Sequence, residues 1–341
     1  LVLATEFLAR LQIPTPKIKR VSRPDSVLIH KIKTDPPLID DAPPVDTRKI
    51  KEVEVALVAD AALLYDTELS RRFDCLERRS DAIEVFGRDA EGEASIAVYQ
   101  AKYKLASAGM AEVTLAVDAS ERFVVIKELI PVYYSDAEAL AGLRREAAIA
   151  ALALHPALLP VIGFHNISNR CQLVFPFVKG PTLTELIRLS LRVSPEFALV
   201  IICNLLEVCV LLNQHKILHR DLKPDNVLIN IEERGSLLTL LDFGVARMGE
   251  SIELEKASSV WGNEYYLAPE IKKFGSCAAS SVQSELFSIG VILRDLLRKV
   301  QVPQDIKLFI DSLTKHNPKE RPASFEVALA KARRLIFLFA G

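Results

Sequence analysis

The segment His219-Arg220-Asp221-Leu222-Lys223-Pro224-Asp225-Asn226 is followed by Asp242-Phe243-Gly244 and then by Ala268-Pro269-Glu270. Each signature fixes several residue types and the gaps between them are fixed too, so chance does not account for all three in this order. Together they supply three hard oxygen donors, Asp221, Asn226 and Asp242, and a cation, Lys223,. Upstream, Val124-Val125-Ile126-Lys127 has the pattern of a buried strand, which turns Lys127 to one side,. A lone lysine in a strand is usually a surface residue. Here Glu146, nineteen residues on, offers a carboxylate to hold it.

This set resembles the eukaryotic-type serine/threonine protein kinases, and Gly109-Met110-Ala111-Glu112-Val113 is similar to their bacterial members. The resemblance covers about 240 residues from Tyr103 onward. It implies an α+β, bilobal fold with a small β-rich lobe, a larger helical lobe and an amino-terminal extension. The expected division is a Pro-rich extended arm over 1–50, a small α/β extension over 51–101, the small lobe over 102–178 and the large lobe over 179–341. The activity implied is transfer of the γ-phosphate of ATP to Ser or Thr hydroxyls of proteins. Such chemistry needs phosphates clamped, metal held and the nucleophile aligned. By resemblance, Lys127 paired with Glu146 meets the α and β phosphates, Asp221 orients or deprotonates the hydroxyl, and Lys223 stands near the γ phosphate. Asn226 and Asp242 would ligate Mg²⁺. Adenine would lie between Val113, Val125 and Leu228, with Pro176 and Val178 at its polar edge and Phe175 behind.

Several positions depart from the family pattern. The phosphate-covering loop reads Ala106-Ser107-Ala108-Gly109-Met110-Ala111, and alanines restrict the positive φ and close approach that glycines allow,. Glu285 stands where the family has an Asp that braces the catalytic loop, and Asn263 replaces a Thr after Gly262. The path from Ser288 through Leu297 to Arg321 is short, leaving little room for a substrate-docking helix. These departures favour one alternative, a pseudokinase serving as a nucleotide-binding or scaffold module. Arg220 suggests a docked phosphate or carboxylate, with Ser258, Ser259 and Ser251 as acceptors or Glu253 and Glu255 as permanent charges,. Glu270 has a structural partner in Arg321 by the same resemblance.

Local patterns predict three strands over 104–117 and 122–129, a helix over 137–152 capped by Ser135 or Asp136, and a strand over 172–178,. Before them, 61–79 has helical spacing and 82–99 reads as a hairpin,. The apolar stretch 197–212 contains Asn204 and Glu207 and falls short of the ~20 residues of a membrane span,. It reads as a buried large-lobe helix. A formal net charge of -1 gives no field for nucleic acid, and five cysteines without metal-ligand spacing read as reduced thiols in a cytoplasmic setting,. The expected partners are ATP and a protein substrate. Intramolecular regulation by residues 1–101 is a further expectation, drawn from the Pro-rich arm and its attachment to the small lobe.

Overall fold

A computed structural model describes residues 82–88, 94–108, 110–152, 154–167, 170–188, 193–230, 236–249, 264–274 and 279–339. The reading of 61–79 as a helix, and of 1–50 as an extended arm, falls outside them. The fold is the expected α+β arrangement of two lobes.

Period-2 alternation builds the small lobe. Its strands are β1 (Ala82–Arg88), β2 (Ala94–Ala108), β3 (Ala111–Val117), β4 (Phe123–Leu129), β5 (Gly163–Ile167) and β6 (Arg170–Pro176). They form one sheet in the order β1-β2-β3-β4-β6-β5, every neighbouring pair antiparallel. Val124 and Ile126 pack on one face with Tyr99, Ala101, Ala116 and Val174. Leu129, Leu173 and Phe175 pack on the other against α1 (Ala137–Ala151). This helix starts where the Asp136 carboxylate accepts the backbone N–H groups of Glu138 and Ala139, so the aspartate, not Ser135, is the cap,.

The boundary placed at 101/102 is corrected: β2 runs unbroken from Ala94 to Ala108 and pairs with β1 from Ala82↔Gln100 to Arg88↔Ala94. A strand that shares its hydrogen bonds with both neighbours cannot belong to two separate domains. The hairpin expected over 82–99 is therefore the edge of the small-lobe sheet.

Beyond β6 the chain turns at Gly180, where a Cβ would fall 1.7 Å from the Ile229 carbonyl oxygen, so no other residue fits,. The large lobe then comprises α2 (Leu183–Arg188), α3 (Pro195–Gln214), β7 (Ile217–Leu218), β8 (Val227–Ile229), β9 (Leu238–Leu240), β10 (Arg247–Met248), α4 (Pro269–Phe274), α5 (Val282–Leu296), α6 (Gln304–Leu313) and α7 (Phe325–Phe339). Helix α3 starts with Ser194 as cap and Pro195 in the first turn,. It is apolar on all sides because α7, α5, β7 and β9 surround it,. By length and composition it could cross a membrane, yet most of it is buried in the large-lobe core, which matches the reading of 197–212.

Arg321 locks the end of the activation segment to this core. Its side chain is fully buried, with Nη1 2.7 Å and Nη2 2.8 Å from the two Glu270 oxygens. The carbonyls of Lys315, Gln283 and His316 take its other N–H groups, and its guanidinium lies over the Phe287 ring. Removing one partner strands the other's charge in the interior. Arg321→Ala is expected to lower unfolding stability by about 3–5 kcal/mol, measured by urea denaturation. A loss of about 1 kcal/mol or less, as for an exposed pair, would contradict this account.

Candidate active site

The register of β3, β4 and β6 turns Val113, Lys127 and Leu173 to one face, together with Val125 and Phe175 two residues along,. Helix α1 packs on the same face and brings Glu146 to Lys127. The Lys127 Nζ lies 2.7 Å from Glu146 Oε2 and 2.9 Å from Asp242 Oδ1, so one ammonium joins sheet, helix and large-lobe loop. Burial would strip the proton from this lysine, but the Glu146 and Asp242 carboxylates override it and raise its pKa,. Burial would likewise raise Asp242; Lys127 outweighs it and holds the carboxyl down at about 2. For Glu146 burial wins, helped by Asp242, and its pKa lies above the carboxylate range despite the lysine.

Two loop residues hold backbone conformations that side chains disfavour. Arg220 has φ +69° and Asp242 φ +62°, where a non-glycine residue costs roughly 1–2 kcal/mol. Glu285, at the start of α5, accepts the Arg220 N–H at 2.7 Å and so braces the turn, as its place in the family pattern implies. The buried His219 accepts the Asp221 N–H at Nδ1, 3.3 Å, which makes Nε2 the donor to the Leu241 carbonyl at 2.9 Å,. Its ring stacks at 4.8 Å on Phe243. The catalytic loop and the metal loop are thus tied through a neutral imidazole whose pKa burial lowers.

Within this frame Asp221 Oδ2 accepts from Lys223 Nζ at 2.6 Å and from Asn226 Nδ2 at 3.0 Å. Asn226 Nδ2 also binds the Asp221 carbonyl at 2.8 Å. The residues predicted for catalysis and metal thus fall into two hydrogen-bonded groups, Lys127 with Glu146 and Asp242, and Asp221 with Lys223 and Asn226, whose loops are joined through His219 and the Leu241 backbone. Leu228 lies on β8, bridged to Thr182, while Pro176 ends β6 and the half-buried Val178 follows on the connection to the large lobe.

β2 pairs with β3 to the hairpin tip, with Ala106↔Val113 and Ala108↔Ala111, so both alanines take extended positions that need no positive φ,. The Met110 carbonyl accepts the Ile130 N–H at 3.0 Å, and Met110 packs against the sheet-to-α1 cluster. Gly109 lies outside the described residues, as do Ser251, Glu253, Glu255, Ser258, Ser259, Gly262 and Asn263.

The short path after α5 is also visible: α5 ends at Leu296 and α6 begins at Gln304 with no helix between them. A groove of about 760 Å³ opens there, lined by Tyr265, Tyr266, Arg294, Asp295, Arg298 and Lys307 among others. Both tyrosine hydroxyls donate to Asp295 at 3.0 Å. No sequence signal pointed to this groove. Nor did one single out Gly142 and Arg145 of α1, which both reach the Gly244 carbonyl; an arginine beside Glu146 reads as an ordinary solvated helix residue.

Fold and site define a protein kinase, and residues 99–304 match the protein kinase domain family, so the chain belongs to it. It is 31% identical over 227 residues to the probable serine/threonine-protein kinase PknB of Lactococcus lactis, covering 66% of this chain and 35% of that protein. It is equally similar to the serine/threonine-protein kinase PrkC of Bacillus subtilis, over 66% of this chain and 34% of PrkC. With the serine/threonine-protein kinase pkn2 of Myxococcus xanthus it shares 34% identity over 223 residues, 62% of this chain and 25% of that one. The matched part thus spans about a third or less of these relatives' length.

Burial raises the brace carboxyl Glu285 to about 7, against an ordinary 4.5, despite the Arg220 and His219 backbone N–H groups that favour its charge,. The folded chain holds this proton more tightly than the unfolded one. The group therefore favours folding at low pH, and that contribution is lost as pH rises from 4.5 to about 7,. Glu285→Gln keeps an acceptor but cannot titrate. The fall in thermal midpoint between about pH 5 and about pH 7.5 should be smaller in this variant than in the native chain; an unchanged fall would show that Glu285 does not carry it.

Proposed function

We propose that this chain is a serine/threonine protein kinase that transfers the γ-phosphate of ATP to Ser or Thr hydroxyls of protein substrates. The observation that carries this reading is Lys127, held at once by Glu146 and Asp242 across the two lobes. A scaffold without turnover has no chemical need for that clamp together with a carboxylate, a lysine and an amide gathered at Asp221.

Asp242 and Asn226 fit Mg²⁺ by donor chemistry. Asp242 Oδ1 is taken by Lys127 and Gly244, and Asn226 spends its N–H donors on Asp221, which leaves Asp242 Oδ2 and Asn226 Oδ1 as hard oxygen donors,. Mg²⁺ bound there would neutralise charge on the phosphate oxygens. Lys127 pairs with the α and β phosphates, with Ala106, Ala108 and Gly109 as the phosphate-covering residues. Val113, Val125 and Leu228 enclose adenine, with Phe175 behind it, while the Pro176 carbonyl and the Val178 N–H meet its edge. Because Lys223 and Asn226 fix Asp221 Oδ2, Oδ1 orients the substrate hydroxyl and takes its proton,. Lys223 then stands beside the transferring group. Phosphate on Ser258 or Ser259, docked on Arg220, is the proposed ordering signal for the activation segment. Regulation in cis by residues 1–101 draws support from the continuity of β1 and β2 with the catalytic sheet. Reduced, buried Cys171, Cys203 and Cys209 accord with a cytoplasmic setting for this part of the protein,.

The test is transfer of labelled phosphate from ATP with Mg²⁺, to the chain itself and to a basic protein, in native, Asp242→Asn and Asp221→Asn forms. Native transfer should fall about 10²–10⁴-fold in Asp221→Asn and disappear in Asp242→Asn. Nucleotide binding without transfer in the native chain would favour the scaffold reading instead.

A further inference from the structure

Helix α1 reaches the metal loop directly at Gly142, one turn before Glu146, and at Arg145, the residue before it, whereas Glu146 itself bonds Lys127. A Cβ built on Gly142 would stand 3.1 Å from the Gly244 carbonyl oxygen, so the helix approaches that peptide group as closely as backbone allows,. The Arg145 guanidinium donates through Nη1 to the same oxygen. Gly244 in turn donates its N–H to Asp242 Oδ1 at 3.2 Å, the atom that Lys127 holds. The contacts close a ring: Glu146 to Lys127, Lys127 to Asp242, Asp242 to Gly244, and Gly244 back to Arg145 and Gly142 on the same helix.

We propose that Arg145 and Gly142 form a latch on the Gly244 carbonyl that fixes the metal loop to helix α1, with Arg145 acting as a positioning residue for Asp242. A single ammonium bridge can swing about Lys127, whose side chain is long. A second contact, from Arg145 to a different peptide group, removes that freedom and sets the orientation of the Asp242 carboxylate. Because the guanidinium is a charged donor on a partly buried carbonyl, it contributes more than a neutral pair would. Glycine at 142 gives room for it: a Cβ there would stand 3.1 Å from the Gly244 carbonyl oxygen, so an alanine has to shift helix or loop by a few tenths of an ångström. The proposal rests on the phosphotransfer reading of this site.

The experiment uses the full chain and the variants Arg145→Ala, Arg145→Lys and Gly142→Ala. Amide hydrogen exchange is followed without nucleotide in three segments, α1, the metal loop 241–246 and, as internal reference, helix α3. Transfer from ATP to a basic protein is measured alongside. Arg145→Ala and Gly142→Ala should speed exchange in α1 and the metal loop together and leave α3 unchanged. They should lower kcat about 10- to 100-fold, the loss of a charge-assisted hydrogen bond, with little change in the protein substrate's KM. Arg145→Lys should recover part of both effects. Unchanged exchange in α1 and the metal loop of Arg145→Ala would overturn the proposal. A rise spread equally over α3 would also overturn it, by showing a merely structural role. If the native chain transfers no phosphate yet the paired exchange response is present, the kinase reading fails and the latch stands.

Discussion

Three structural units meet on one ammonium group. Lys127 comes from the sheet, Glu146 from α1 and Asp242 from the large lobe, and their separations of 2.7 and 2.9 Å leave no room for water between them,. Buried Lys127 keeps its proton because the two carboxylates outweigh its desolvation, and Lys127 in turn favours the charged form of each acid,. The relative placement of the lobes and the ionisation of the site are therefore one fact, not two. The unequal response of the two acids follows from position. Asp242 is half-exposed and gains two donors, Lys127 and Gly244, whereas Glu146 is buried and shares its single cation with a competing anion.

The large lobe supplies rigidity to this arrangement. Left-handed backbone at Arg220 and Asp242 is unfavourable and persists only where surrounding contacts over-determine it,. Glu285 holds the first turn from α5, and the His219 imidazole ties the second to it through Leu241 and Phe243. Helix α5 is itself fixed by its Ser281–Ser284 capping box and by packing on the fully buried α3,. A chain of contacts thus runs from an apolar core that does no chemistry to the two loops proposed to do it. Arg321 extends the same logic to Glu270, so the activation segment ends on a fixed point.

The parts legible in the sequence were those where one residue type has one physical use. Alternating apolar residues gave the strands, Ser135-Asp136 the start of α1, and a mostly apolar stretch the central helix α3. Glu146 was legible for Lys127 because a buried lysine requires an anion. Other features depend on backbone geometry that residue identity does not reveal. Ala106 and Ala108 looked like a defect when set against glycines, yet a hairpin paired to its tip asks nothing of φ that alanine cannot give. The boundary at 101/102 followed the point where the family resemblance begins, but the hydrogen bonds of β2 to both neighbours run across it. Gly142 and Arg145 were invisible because their target is a carbonyl a hundred residues away in sequence, and any residue can provide a carbonyl.

The placement of β1 bears on how the amino-terminal segment can influence the site. Order β1-β2-β3-β4-β6-β5 puts β1 and β5 at the two edges, yet these edges lie alongside each other with Cα atoms within 8 Å. The sheet therefore curls almost into a closed barrel around Tyr99, Ala101, Ala116, Val124, Ile126 and Val174. At Gly163 of β5 only a hydrogen stands where a Cβ would meet Val174 at 3.1 Å and the Tyr99 hydroxyl at 3.6 Å, which lets the edges approach. A curled sheet resists shear more than an open one, because a shift of one strand must move both neighbours. Any force on β1 is then transmitted to β4, three strands along through β2 and β3, and to β5 directly, so Lys127 on β4 and the edge strand β1 belong to one stiff body.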